Sequence, residues 1–238
     1  MEDMFNEPLS SAEELIKRYA AGERDFKGAT LWEANLSAAN LSEANLWIVN
    51  LKGALLEEAN LERANLNYGD LEAARLCRAN LADANLEGAR LCRANLKGAN
   101  LEGTRLCRAN LEGANLEAAN LRKANLEETI LGAANLRKAN LRKANLTRAY
   151  LLGANFQRAM FWEANLSGAN LKGAILEEAN LSGANLSGAY LYGANLNGAY
   201  LYGANLSETI LYGAYCDQNT CFPNDFDLGN AGVRIRKF

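Results

Sequence analysis

Leucine or phenylalanine stands at every fifth position from Phe26 to Leu211, without a skip. Two residues before each lies a small residue, nearly always alanine; the exceptions are Arg24, Val49, Gly69, Thr104, Thr129 and Thr209. The residue just before the leucine is usually asparagine, and the two after it are mostly charged, serine or glycine. The unit is therefore A-N-L-x-x. A period of five suits neither an α-helix, at about 3.6 residues per turn, nor a flat strand, whose side chains alternate. In a helix the leucine stripe would wind around the surface, and in a strand the leucines would switch faces. A chain that turns a corner once per unit removes the conflict, because each side then points one leucine and one alanine inward. Asparagine suits such corners: it tolerates left-handed backbone and its side chain can bond the local backbone.

The number of sides is encoded in the departures from asparagine. Seven of them, Thr30, Asp70, Arg90, Ile130, Tyr150, Tyr190 and Ile210, are separated by multiples of 20 residues. That excess in one class predicts a 20-residue coil with four sides. Carrying the register on through Cys216 and Cys221 gives forty units, or ten coils. At a strand spacing of ~4.8 Å this is a rod roughly 48 Å long. No coil can bury its leucines alone, so stability is a sum over stacked neighbours. Each buried leucine contributes roughly 1.5–3 kcal/mol. A charge inserted mid-column, as in Leu116→Asp, is expected to be severe.

Open ends of such a stack need covers. Residues 1–23 are expected to form one. Ser10 or Ser11 can cap a helix, with Glu13 or Glu14 three residues on, and the pattern predicts a helix over 11–21 with Leu15, Ile16 and Tyr19 on one face. Gly22 is placed to stop it. Residues 24–221 form the repeat body, and residues 222–238 a second cover with Phe222 and Phe226 as plugs. Pro8 and Pro223, the sole prolines, lie outside the regular region.

Composition narrows the chemistry. The chain has no histidine, which removes the commonest general base and metal ligand. The N-terminus lacks the features of a signal peptide and no stretch is long enough to span a membrane, so a cytoplasmic location is expected. Five cysteines without CxxC spacing fit a reducing compartment. Cys77, Cys92 and Cys107 recur in three copies of RLCRANL, 15 residues apart. That step moves each to a different side, so they form a staircase and neither a disulfide nor a zinc site. Cys216 and Cys221 fall in the inward leucine register, as small core residues or as a disulfide.

Charge is uneven although the net is −3. Residues 1–60 and 161–238 are acidic and residues 61–160 basic. The densest basic patch is Arg122, Lys123, Arg142 and Lys143 on one side, with Arg137 and Lys138 on the next. It could meet an acidic partner or nucleic acid, or be a solvated surface laced by ion pairs with Glu127 and Glu128 close by. Tyr190, Tyr192, Tyr200, Tyr202, Ile210, Tyr212 and Tyr215 crowd the last coils at outward positions. Three readings stand side by side: cover by the C-terminal tail, an interface with a partner or second copy, and a bare ladder.

The unbroken A-N-L-x-x motif over 24–215 resembles the pentapeptide-repeat family. The strings YAAGERDF and F-P-x-x-F-D are similar to the lead-in and ending of cyanobacterial members. The resemblance implies an all-β solenoid, a right-handed quadrilateral β-helix with four repeats per coil. It also brings the possibility of DNA mimicry, since some members inhibit DNA gyrase; the basic middle argues against that gyrase or topoisomerase role here. A filled solenoid has no pocket for catalysis, and no phosphate loop or Ser-His-Asp set is present. The expected function is therefore a non-catalytic interaction module without cofactor or metal. Its partner is expected to be another protein, with a homodimer through the tyrosine-rich coils as one form, and nucleic acid disfavoured.

Overall fold

The computed structural model describes residues 9–224 and 226–235. Parts of both expected end covers, residues 1–8, 225 and 236–238, lie outside the described residues.

From Asp25 to Asn195, each residue in the asparagine register forms a parallel bridge with the residue 20 positions later: Asn95 with Asn115, Asn115 with Asn135, Asn135 with Asn155. Four five-residue sides therefore make each coil, and successive coils stack in register. One unit shows why the sequence folds this way. Leu116 N–H donates to Asn135 O at 2.7 Å and Ala118 N–H to Arg137 O at 2.8 Å, both in the next coil. Asn120 N–H donates to Ala99 O in the preceding coil at 2.9 Å, and Ala119 N–H closes the corner on Leu116 O at 3.0 Å. The remaining amide, Glu117 N–H, donates to the Asn115 side-chain oxygen at 3.1 Å. All five N–H groups are satisfied, as a tightly wound backbone requires.

The asparagine thus acts through its side chain, and the left-handed residue is another one. Positive φ falls two residues after the leucine, as at Ala118 with φ 57°. Glycine is frequent there because it adopts that backbone without a Cβ clash. The asparagine amides also link coil to coil: Asn120 Nδ2 donates to Asn100 Oδ1 at 3.0 Å, and Asn140 Nδ2 to Asn120 Oδ1 at 3.2 Å.

The interior is filled. Residues in the leucine register from Leu31 to Leu201 are at most 1% exposed. Phe156 and Phe161 meet edge to face with centroids 5.1 Å apart. Thr104 and Thr129 replace inward alanines and satisfy their hydroxyls on Leu81 O and Leu106 O, at 2.8 and 2.7 Å.

At the N-terminal end, helix α1 spans Ala12–Ala20, capped by Ser11, whose hydroxyl accepts from Glu14 N–H at 3.4 Å. Leu15 is fully buried, and Tyr19 packs on Phe26 with centroids 6.5 Å apart. Ile16 is 44% exposed; one residue along a helix is a turn of about 100°, which carries it off the face of Leu15. Thr30 N–H donates to Leu9 O at 2.7 Å, so the segment before α1 continues the ladder.

At the other end the register slips by one residue. Asn195 pairs with Tyr215, but Tyr200 pairs with Cys221, 21 positions on. The extra residue lies in the corner Asp217–Thr220. There Asp217 Oδ1 accepts from Gly198 N–H, Asn219 N–H and the Thr220 hydroxyl at 2.9–3.0 Å. Thr220 takes the inward place otherwise held by alanine, with its hydroxyl oxygen 3.0 Å from Leu196 O. Cys216 is buried, but Cys221 is moved out of the leucine register and is exposed. Both thiols are free. Phe222, now next in register, packs on the core and stacks on Phe226 at 5.1 Å. Strand β1 (Tyr215–Cys216) pairs in parallel with β2 (Arg234–Ile235).

Candidate interaction surface

A filled interior leaves the outward positions to carry any function. On most of the rod they obey one rule: a cation finds a carboxylate one coil away on the same side. Lys97 reaches Glu117 at 2.9 Å, Arg122 reaches Glu102 at 2.9 Å, Lys143 reaches Glu163 at 3.4 Å and Arg158 reaches Glu178 at 2.7 Å. The hydrogen bonds from Lys97 and Arg158 hold the Glu117 and Glu178 carboxyls below the usual range. Arg122, helped by Asn120, does the same to Glu102.

The basic patch follows this rule in part. Arg122, Lys123, Arg142 and Lys143 share the side of Leu121 and Leu141, while Arg137 and Lys138 lie on the side of Leu136. Lys143 sits 5.1 Å over the Trp162 ring, and a depression of about 400 Å³ runs between Arg122, Arg142, Lys143 and Trp162. Lys123, Arg137, Lys138 and Arg142 make no ion pair among the described residues. Glu127 and Glu128 are on a different side, where Glu128 is held between Arg108 at 3.3 Å and Arg148 at 4.0 Å.

The aromatic residues divide over three sides. Tyr200 and Tyr202 continue the Leu121 side, and Tyr215 lies in β1 opposite Arg234. Tyr190, Tyr192, Ile210 and Tyr212 share the side of Leu151 and Leu191, with Tyr192 and Tyr212 stacked at 5.9 Å. That side carries more apolar residues than the tyrosine-rich last coils alone. Ile130, Tyr150 and Leu152 lie higher on the same side, beyond the rung of Asn170 and Lys172, all substantially exposed. Their signal was present, since Ile130 and Tyr150 belong to the class of departures that revealed the coil. No acidic residue occupies an outward position of this side from Ile130 to Gly213.

The described tail does not lie over these residues. Gly213 N–H donates to Gly232 O at 2.9 Å and Arg234 N–H to Ala214 O at 2.8 Å, so the tail adds a rung beneath Tyr212. A Cβ at Gly232 would come within 2.9 Å of the Tyr212 ring. Tyr192 remains 48% and Tyr212 62% exposed. Apolar side chains also displace a hydrogen bond here. Where asparagine precedes the leucine, its side chain caps the amide two residues on, as Asn170 does for Lys172 at 3.2 Å. With Ile130, Tyr150, Tyr190 and Ile210 in its place, the amides of Gly132, Leu152, Tyr192 and Tyr212 have no acceptor among the described residues.

Cys77, Cys92 and Cys107 are half-buried on three sides, and burial pushes the Cys92 and Cys107 thiols above their usual range, disfavouring thiolate. Among the described residues no group of histidine, cysteine, aspartate or glutamate could hold a metal ion. No helix among them is long and apolar enough to cross a membrane.

These features define a filled repeat solenoid whose differentiation is confined to its outer columns. The model for pentapeptide repeats matches eight times, between residues 25 and 213. The chain belongs to the pentapeptide-repeat family, and with it to the right-handed β-helix solenoids. It is similar to HetL, a pentapeptide repeat protein involved in heterocyst differentiation regulation from the cyanobacterium Nostoc sp. strain PCC 7120. The two are 37% identical over 86% of this chain and 94% of HetL, with a TM-score of 0.71. It is 42% identical to Rfr23 of the cyanobacterium Cyanothece 51142 over 48% of this chain and 63% of that one, with a TM-score of 0.29. The plasmid-mediated fluoroquinolone resistance protein QnrB1 is 23% identical over 70% of this chain and 89% of its own, with a TM-score of 0.40. No curated protein matches the chain.

Proposed function

We propose that this protein is a non-catalytic, cytoplasmic interaction module of ten coils, and that the side carrying Tyr150, Tyr190, Tyr192 and Tyr212 is its working face. One observation carries the reading: from Ile130 to Tyr212 the outward column exposes large apolar side chains at the expense of backbone caps, although the fold beneath does not need them. Exposed apolar side chains clustered on one side, interrupted only by the rung of Asn170 and Lys172, mark an interaction site. The basic patch is the second candidate, favoured by four cations without a carboxylate partner; it suits an acidic protein better than a duplex, because its neighbours Arg122 and Lys143 are already paired. A DNA-mimicking role has no support in the charge pattern, since cations and carboxylates alternate along the sides.

The test is a double variant, Tyr192→Ser with Tyr212→Ser. Wild-type protein is expected to retain a specific protein from a host extract that the variant, with an unchanged melting temperature, does not. Light scattering on both separates a foreign partner from a homodimer. Identical behaviour of the two proteins in both measurements would remove this side from consideration.

A further inference from the structure

Lys172 departs from the pairing rule, as Lys123, Arg137, Lys138 and Arg142 do, but in aromatic surroundings. Its neighbours one coil away on the same side are Leu152 and Tyr192, and its ammonium lies 5.4 Å over the Tyr192 ring. No carboxylate pairs with it among the described residues. On the same side nearer the N-terminus, the equivalent Lys52 meets Glu72 at 3.3 Å. Across the adjacent corner, Arg148 has a share in Glu128 that Arg108 holds more closely. Between Lys172 and Arg148 runs a groove of about 620 Å³ walled by Tyr150, Tyr190 and Tyr192, with no carboxylate in its lining. The groove therefore combines aromatic walls with a lysine that the protein does not neutralise and an arginine that meets its carboxylate only at 4.0 Å.

We propose that this groove binds an extended protein segment carrying an apolar side chain beside a carboxylate. This deepens the working-face reading above and rests on it. The carboxylate supplies to Lys172 and Arg148 what Glu72 supplies to Lys52. The apolar side chain lies among the tyrosines. The amides of Leu152 and Tyr192, left without acceptors, offer donors to the carbonyls of an extended backbone. A second copy does not fill the role. The column Ile130, Tyr150, Asn170, Tyr190, Ile210 reads the same in both directions, so an antiparallel copy would match it rung for rung. That arrangement sets Lys172 beside Lys172 with no acid on either face, and like charges oppose the pairing. Single-stranded nucleic acid is also disfavoured: two cations make a poor phosphate track, and Tyr192 already stacks on Tyr212.

The experiment titrates the full chain, followed by amide NMR, with the blocked peptide Glu-Phe-Glu-Phe-Glu, its counterpart Lys-Phe-Lys-Phe-Lys, and a ten-nucleotide thymidine strand. The acidic peptide is expected to saturate and to shift the amides of Leu152, Lys172 and Tyr192. Lys172→Glu should weaken it at least tenfold. Leu152→Glu, which places a carboxylate one coil above Lys172, should do the same without lowering the melting temperature. Equal binding of both peptides would overturn the charge argument and leave the apolar face standing. No binding by either peptide at millimolar concentration, or preference for the thymidine strand, would overturn the proposal irrespective of the pull-down result. So would light scattering that shows a dimer which Leu152→Glu dissociates.

Discussion

The side of Leu151 is two surfaces built on one backbone. Up to Glu112 it is largely ionic, with Trp32 as its one exposed large apolar side chain: Glu72 takes both Lys52 at 3.3 Å and Arg90 at 3.1 Å, and Arg93 and Glu112 lie nearby. Below Asn110 it is Ile130, Tyr150, Leu152, Tyr190, Tyr192, Ile210 and Tyr212, with Lys172 as its one cation. The bridges beneath run at the same 20-residue step through both halves, and the inward leucines are equally buried. The core is therefore indifferent to what the outer positions carry. Selection on those positions can act for recognition alone, so a departure there is informative in a way that a departure in a globular core is not.

The comparison can be broken at the core first. Leu91→Asp and Leu151→Asp place a carboxylate in the same column under the ionic and the apolar half. Both are expected to cost more than ~4 kcal/mol, measured by chemical denaturation. A large difference between them would show that the halves are not energetically equivalent beneath the surface.

A smaller effect separates the outer registers. Asn110 caps Glu112 N–H at 3.0 Å, so Asn110→Ala should lose about 1 kcal/mol. Tyr190→Ala, on the same column, has no such bond to lose and should cost less in the same denaturation series. Equal losses would mean that the asparagine caps contribute little.

Acid should act on the paired columns and spare the apolar half. The Glu102, Glu117 and Glu178 carboxyls are held below their usual range by Arg122, Lys97 and Arg158. A lowered carboxyl contributes stability above its unfolded pKa and loses it as pH falls through the folded value. The melting temperature is therefore expected to drop as pH falls through and below the ordinary carboxylate range, modestly because the pairs are exposed. Glu178→Gln should flatten that slope, whereas Tyr150→Ser should leave it unchanged. The smallest effect on stability belongs to Leu152→Glu, expected within ~0.5 kcal/mol of wild type. Its value is that it makes the apolar half resemble the ionic one at Lys172, so any loss of binding reports on recognition and not on folding.

Much of the architecture was legible because the repeat is strict. Leucine at every fifth position has one consistent geometry, and the departures spaced by multiples of 20 count the sides of the coil. The turn signal of asparagine has two physical forms, its own backbone and its side chain, and the sequence leaves both open. The structure uses the side chain, and gives the strained backbone to residues such as Ala118. Ile16 and Cys221 were misplaced for local reasons: a helix rotates by one residue at a time, and a single added residue in the Asp217–Thr220 corner shifts everything beyond it.

The sequence alone determined which residues point inward, how many make a coil, and which outer residues share a side. Each follows from periodicity, and periodicity is a property of the chain. Only the tertiary structure decided which cations are neutralised, where the register slips and that the described tail leaves the tyrosines open. Those outcomes depend on side-chain reach between coils and on loop closure at an end, where the repeat no longer dictates the next position.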